Sequence, residues 1–444
     1  VLVDVSVWLL CTAALLAFAR PSITHPGTTY LAFHGWFISG RAVAILSGAT
    51  LLFSWRGATP VSFGEVSRAV LLADLALVTM TCAWVLAARR TAPLEAQTVV
   101  LKPRMLSLGI VRGVASVAIP LGCIAMLLWS AVPGLAHHEV AHELAVSNWA
   151  VIAQTWAGLG LLVLIYWYGF KLGLVIPLAA YFGLMIYQGN FRFRLVIPLI
   201  LLAQVYFDRR RRRWPTLTGV ALLLTFGCPF FPLKRIGQQL QAGETPQAMW
   251  QSTRIEMEDA FRGDHPDEMI LDEFASSLTL ADRYGKSYWG GTYVGLLTVA
   301  IPRQWWPGKP GLADFEKEIS TLSRPMAANG MVVTMMGEFY LNFSYAGVVA
   351  LCFLVAYLSG LCFHAAYQRG YFTLAHFTYL LIACNFIQVF RDGLISLFVF
   401  PIINMMPFAA IVLLHLLQSA GTEASFRKPI LNSPPVRQRP DPIA

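Results

Sequence analysis

The sequence predicts an all-α, polytopic integral membrane protein with about eleven transmembrane helices and one large external helical loop. Two observations lead there. Of the 444 residues, 57% are hydrophobic and 13% are charged, about half the charge with which a soluble domain covers its surface. The apolar residues also collect in runs near the ~20 that a helix needs to cross hydrocarbon, where backbone groups must satisfy one another. This composition excludes a soluble enzyme, a nucleic-acid-binding protein and a disordered chain. The net charge of +9 would elsewhere suggest a polyanionic partner. No nucleic acid is expected here, because the placement of the charges accounts for it.

Taken in order, the spans fall at 3–19, 31–53, 67–88, 108–131, 149–167, 170–188, 193–207, 215–231, 342–366, 373–390 and 396–418. The first has no basic residues ahead of its apolar run and reads as a span rather than a leader peptide. The second carries His34 and Arg41, and the seventh is short, as in a tilted or re-entrant segment. The chain divides into an N-terminal bundle of about eight spans (1–231), an external cap loop (232–340), about three C-terminal spans (341–418) and a disordered cytoplasmic tail (419–444).

Orientation follows from basic residues, which resist translocation. Arg209 to Arg213 form an unbroken run, Arg89, Arg90, Lys102 and Arg104 follow the third span, and Arg427, Lys428, Arg437 and Arg439 lie in the tail. Alternating spans put all three groups on one side, the cytoplasm, and put the large loop and the N-terminus outside. The large loop then lies in a periplasm-like compartment. All seven cysteines fall in spans and none in the loop, so no disulfide framework is expected.

The external loop is long enough to fold and carry function. Thr245-Pro246 is a helix start, followed by Trp250, Met257 and Phe261 near helical spacing. Ile270, Phe274 and Leu278 form a second stripe with Asp267, Asp272 and Asp282 off it, and Leu312, Phe315, Ile319 and Leu322 form a third. Three short helices would then lie on the bundle as a cap. Between them run Gly285-Lys-Ser-Tyr-Trp-Gly-Gly-Thr-Tyr-Val294 and Ile301-Pro-Arg-Gln-Trp-Trp-Pro-Gly-Lys-Pro310. Aromatic faces pack on sugar rings and cations hold phosphate. The same Trp and Tyr residues also suit an interfacial belt with basic anchors. Glu338, in Gly337-Glu-Phe-Tyr-Leu-Asn-Phe343, favours a site, since charge entering the bilayer is costly without a purpose.

The stretch from Gly285 through Gly347, with Ile301-Pro-Arg303, Trp306-Pro-Gly-Lys309-Pro and Gly337 to Phe343, resembles the bacterial O-antigen and oligosaccharide repeat-unit polymerases of the Wzy type. Gly189-Asn-Phe-Arg-Phe-Arg194 and Arg391-Asp392 add to the likeness. The resemblance implies a metal-independent glycosyltransferase on the outer face of the inner membrane, with no cofactor. Its substrate would be an undecaprenyl-diphosphate-linked oligosaccharide held among membrane lipid, with a chain-length regulator as a further partner. The leaving group is a lipid diphosphate, which calls for positive charge on the phosphates and a base for the attacking hydroxyl. Arg303 and Arg391, then Arg192 and Arg194, are the candidate diphosphate ligands, with Lys309 beside them. Glu338 is the leading base, with Tyr340 and Asn342 as its orienting partners and His265 as a second base candidate. Trp289, Trp305 and Trp306 are candidate sugar-stacking positions.

Three other readings compete. An O-antigen ligase-like transferase would share the carrier and differ in acceptor. His138-Glu139-Val-Ala-His142 is a zinc-protease pattern that lacks an evident third ligand. Asp74, Asn385 and Gln388 lie within spans and would suit a lipid-linked sugar transporter or flippase.

Overall fold

The computed structural model describes residues 1–49, 61–91, 105–131, 145–188, 193–216, 233–262, 269–295, 305–306, 308, 318, 332–399, 401 and 404–426. Among these residues the protein is helical, with one isolated bridge between Met105 and Thr373. Helix α1 (Leu2–Ala14) runs into a π-helical turn (Leu15–Ala19). A second rod joins α2 (Pro26–Phe33), a π-helical turn (His34–Gly40) and α3 (Arg41–Leu46). Then come α4 (Phe63–Thr91), α5 (Leu108–Ala131), α6 (Ala145–Tyr168), α7 (Leu172–Tyr187) and α8 (Phe193–Arg209). The loop region holds α9 (Leu233–Gln241), α10 (Pro246–Arg262) and α11 (Ile270–Arg283). Helices α12 (Met335–Arg369), α13 (Leu374–Ala383), α14 (Phe386–Asp392), α15 (Ile395–Val399) and α16 (Met406–Phe426) complete the described chain.

Among the described residues, five segments are long and apolar enough to cross a membrane: Leu2–Ala19, Phe63–Thr91, Leu108–Leu128, Met335–Arg369 and Leu374–Asp392. Shorter apolar helices lie at Ile152–Tyr168, Leu172–Tyr187 and Met406–Gln418. Their outer faces stay apolar, with Leu121, Ile124, Leu127 and Leu128 of α5 and Leu413, Leu414 and Leu417 of α16 all exposed. A continuous apolar exterior of this kind suits lipid. The eighth expected span, at 215–231, lies almost wholly outside the described residues.

The central pair is α4 with α12. On α4, Ala69, Ala73, Ala76, Ala83 and Ala87 line one fully buried face, and on α12 Cys352, Ala356 and Gly360 answer it. A Cβ at Gly360 would meet the Ala87 Cβ at 2.9 Å, so the backbones approach as membrane helices do through small residues. Bonds from Arg68 to Tyr345, Trp84 to Ser359 and Gln368 to Thr91 link residues 277, 275 and 277 positions apart. That constant offset makes the two helices parallel.

Helix α12 is broken near its start, where Phe343 and Ser344 leave helical geometry and Ser344 adopts φ +58°. Residues 335–342 therefore form a short helix, capped by the Thr334 hydroxyl accepting from the Gly337 amide at 3.2 Å. Gly347 is required at the bend, because a Cβ there would lie 2.5 Å from the Phe343 Cβ and 2.7 Å from the Phe339 carbonyl.

Two apolar cores result. One gathers α1, the α2–α3 rod, α4, α11, α12 and α14, and the other gathers α5, α6, α7, α8, α13 and α16. A polar chain joins them: Tyr367 donates to Asp208 at 2.7 Å and meets Thr24 at 2.6 Å, while His376 bridges Asp208 and Tyr166 at 3.1 Å each. At that end lie Arg89, Arg90, Arg369 and Arg209 to Arg213, with the Arg213 carbonyl accepting from Ile23. Helix α11 and the start of α12 lie at the opposite end.

Helix α11 packs into the first core: Phe274 is fully buried and packs on Gly337, and Asp272, expected off the apolar stripe, is fully buried too. Its carboxylate receives both arms of Arg41, Nε at 3.1 Å and Nη2 at 2.6 Å. The expected boundary at 340 falls within the short helix that precedes the break at Phe343 and Ser344. The third expected cap helix lies outside the described residues, apart from Glu318.

Candidate functional site

At the α11 end, three segments far apart in sequence meet around Glu338. Its side chain sits in the first turn of α12 and is fully buried. Carboxylate Oε2 accepts from the Leu394 amide at 2.6 Å, and Oε1 faces the Thr292 hydroxyl at 3.5 Å. Gly393 makes the first contact feasible. Its φ is +97°, and a Cβ there would collide with Glu338 Oε2. Gly393→Ala is expected to displace the carboxylate and to strain the backbone by about 1–3 kcal/mol. Thermal unfolding checks this, and a wild-type midpoint would contradict it.

The third segment is the turn from Tyr288 to Tyr293. It docks on the short helix by backbone and side-chain bonds: the Tyr288 amide to the Leu341 carbonyl at 3.0 Å, the Gly290 amide to Asn342 Oδ1 at 2.8 Å, and Asn342 Nδ2 to the Thr292 hydroxyl at 2.9 Å. These bonds hold Trp289 at φ +48°, uncommon for an aromatic residue, with its side chain 78% exposed. Glu318 braces the turn from outside, bonding the Tyr288 hydroxyl at 2.9 Å and Lys286 Nζ. The Lys286 ammonium holds the Glu318 carboxyl below the usual carboxylate range. Burial, then the nearby Glu338 charge, pushes the Tyr293 hydroxyl well above its usual range, so it stays a protonated donor.

The other sequence candidates divide. Asn342 stands beside Glu338, though its Nδ2 also donates to the Glu338 carbonyl at 2.8 Å rather than to the carboxylate. Tyr340 is not an orienting partner of Glu338. Its hydroxyl donates to Asp282 at 3.0 Å and receives Arg68 Nη2, and Arg68 in turn pairs with Asp282. Arg391 is part-exposed, 3.6 Å from the Asp392 carboxylate, and lies three positions before the Leu394 amide that holds Glu338. Arg194 is buried in the second core near Tyr181 and does not join this group. Trp305 and Trp306 are exposed, by 81% and 43%. Arg192, His265, Arg303 and Lys309 lie outside the described residues, as do His138, Glu139 and His142.

The residues of the transport reading have partners of their own. Asn385 donates to the Leu381 carbonyl at 2.7 Å, Gln388 bonds Asp392, and Asp74 faces His34. Among the described residues Glu338 has no ion pair, and its carboxylate is held by the Leu394 amide. Sequence reasoning missed Thr292, Gly393 and Leu394, which carry no charge, and Arg68 and Asp282, whose partnership spans 214 positions. The chain matches no family model, no curated protein and no solved structure.

Proposed function

We propose that this protein is a membrane glycosyltransferase that polymerises undecaprenyl-diphosphate-linked oligosaccharides on the outer face of a bacterial inner membrane. The observation that supports the reading is the convergence at Glu338. A fully buried carboxylate at the head of a membrane-length helix is held by the Leu394 amide, three positions from Arg391, and covered by the turn carrying Trp289. A carboxylate without a cationic partner among the described residues is suited to accept a proton. An arginine close by in the chain is suited to hold a phosphate through two parallel bonds.

In this mechanism Glu338 removes the proton from the acceptor sugar hydroxyl as that oxygen attacks the anomeric carbon of the donor. The bond to the carrier diphosphate breaks, and Arg391, with Arg303 and Arg192, stabilises the charge that develops on it. Tyr293, kept protonated, donates to the reacting oxygens. Because Glu338 is covered, the turn from Tyr288 to Tyr293 lifts to admit the sugar, and Trp289 with Trp305 and Trp306 stacks on its rings. The isoprenoid tail stays in lipid against the exposed apolar faces. The basic end faces the cytoplasm and the Glu338 end faces outward.

Arg391→Ala and Arg303→Ala test the diphosphate role. Each is expected to abolish polymer on gels of extracted glycan while the protein remains folded and inserted. Normal polymer in both variants would sink it. A single transfer to a lipid A-core acceptor, rather than a ladder, would favour the ligase reading.

A further inference from the structure

A second polar group lies in the same core, on the far side of Tyr30 from the short helix. Asp4 of α1, His34 in the π-helical turn and Asp74 of α4 bring one nitrogen and two carboxylate oxygens within 4.8 Å of one another. His34 Nε2 is 3.1 Å from Asp4 Oδ1 and 3.5 Å from Asp74 Oδ1. Asp4 and His34 are almost fully buried and Asp74 is 6% exposed. The Ser39 hydroxyl donates to Asp4 Oδ1 at 3.1 Å, yet Asp4 Oδ2 and both Asp74 oxygens are buried without a hydrogen-bond partner. Carboxylate oxygens left in this state are costly. Asp4 and Asp74 line a cavity of about 240 Å3 together with Ala42, Ile45, Val66 and Val70.

We propose that Asp4, His34 and Asp74 bind one divalent transition-metal ion of the zinc class. Charge, spacing and donor type agree. Two carboxylates with a neutral imidazole carry a charge that a dication cancels, leaving a neutral group in a low-dielectric bundle. Ligands about 2.0–2.1 Å from zinc stand about 3.3 Å apart in a tetrahedron, close to the 3.1 and 3.5 Å observed. One imidazole with two carboxylates is a set that zinc and its neighbours accept, and hard calcium or magnesium sites favour oxygen alone. The fourth position would face the cavity. The ion would clamp α1, the α2–α3 rod and α4 together, and Tyr30 would pass that order to the catalytic helix, since its ring lies 6.2 Å from His34 and its hydroxyl bonds Met336 Sδ at 3.4 Å.

Protons on His34 and one aspartate would also neutralise the group, and the experiment separates the two. The full chain, with His137→Ala, His138→Ala, His142→Ala and His265→Ala so that the loop histidines cannot contribute, is reconstituted in nanodiscs of zwitterionic lipid, stripped with chelator and titrated with Zn2+. One ion per chain is expected. His34→Gln and Asp74→Asn are expected to weaken binding more than about 100-fold, beyond the loss that changes around a ligand produce, while His415→Gln, altering another buried histidine, leaves it unchanged. X-ray absorption of the loaded parent chain, which needs no further variant to fold, is expected to show one imidazole and two carboxylates. Absence of stoichiometric binding, binding unaffected by His34→Gln, or a shell containing sulfur or two imidazoles would overturn the proposal. Each of these readouts is independent of glycan transfer, so failure here leaves the transferase reading standing.

Discussion

Glu338→Gln is expected to lower the rate of glycan transfer by about 10²–10⁴-fold, the range that a positioned general base contributes. The amide keeps the shape of the side chain and can still accept from the Leu394 amide through its oxygen, so folding and insertion should be unchanged. What it loses is the ability to take a proton. Glu338→Asp is a useful companion, because it keeps the charge but shortens the reach to Leu394 and Thr292. Initial-rate assays on carrier-linked oligosaccharide check both variants. Full activity in Glu338→Gln would remove Glu338 as the base.

The largest expected effect on stability belongs to Arg41 and Asp272. Both side chains are 0% exposed, and the guanidinium meets the carboxylate with two arms. Arg41→Ala removes both of these bonds from a buried carboxylate, and losing one partner of a buried ion pair costs about 3–5 kcal/mol. Because α11 is anchored through Asp272, the loss should also loosen the platform on which Phe274 packs against Gly337. A double change to apolar residues of similar volume, Arg41→Met with Asp272→Leu, is expected to recover most of the loss. Thermal unfolding in detergent measures the series. An Arg41→Ala protein within about 1 kcal/mol of the parent, the range of exposed pairs, would contradict the account. The Arg68–Asp282 pair is that exposed case, with 36% and 42% of its side chains accessible, and little is expected from its removal.

The sequence made the helical class and the positions of the long apolar helices legible, because hydrophobic run length is a local property. The starts at Phe63 and Leu108 lie close to the expected spans at 67 and 108. The broken rod around His34 and Arg41 was foreshadowed by those two polar residues, though their partners were not. Asp4, Asp74 and Asp272 lie 30, 40 and 231 positions from the side chains that they face, and no periodicity reports such pairings. Helix α11 shows the same gap. Its apolar stripe was readable, but the burial of Asp272, off that stripe, was not, because the arginine that neutralises it belongs to another helix.

For the candidate site, Glu338 and the Trp289 turn stood out as costly or conspicuous chemistry. The residues that position them did not. Leu394 acts through its backbone amide, Gly393 through the absence of a side chain, and Thr292 through a hydroxyl that any surface loop can carry. Tyr340 illustrates the reverse error. It is two residues from Glu338, but helical positions two apart do not share a face, and its hydroxyl turns to Arg68 and Asp282.

The central claim is that Glu338 drives transfer of a carrier-linked glycan. The most direct measurement incubates purified protein in nanodiscs with undecaprenyl-diphosphate oligosaccharide and sizes the products. The account predicts a ladder of repeat units from the parent chain and none from Glu338→Gln. No transfer by the folded parent chain, or the same ladder from both proteins, would contradict it.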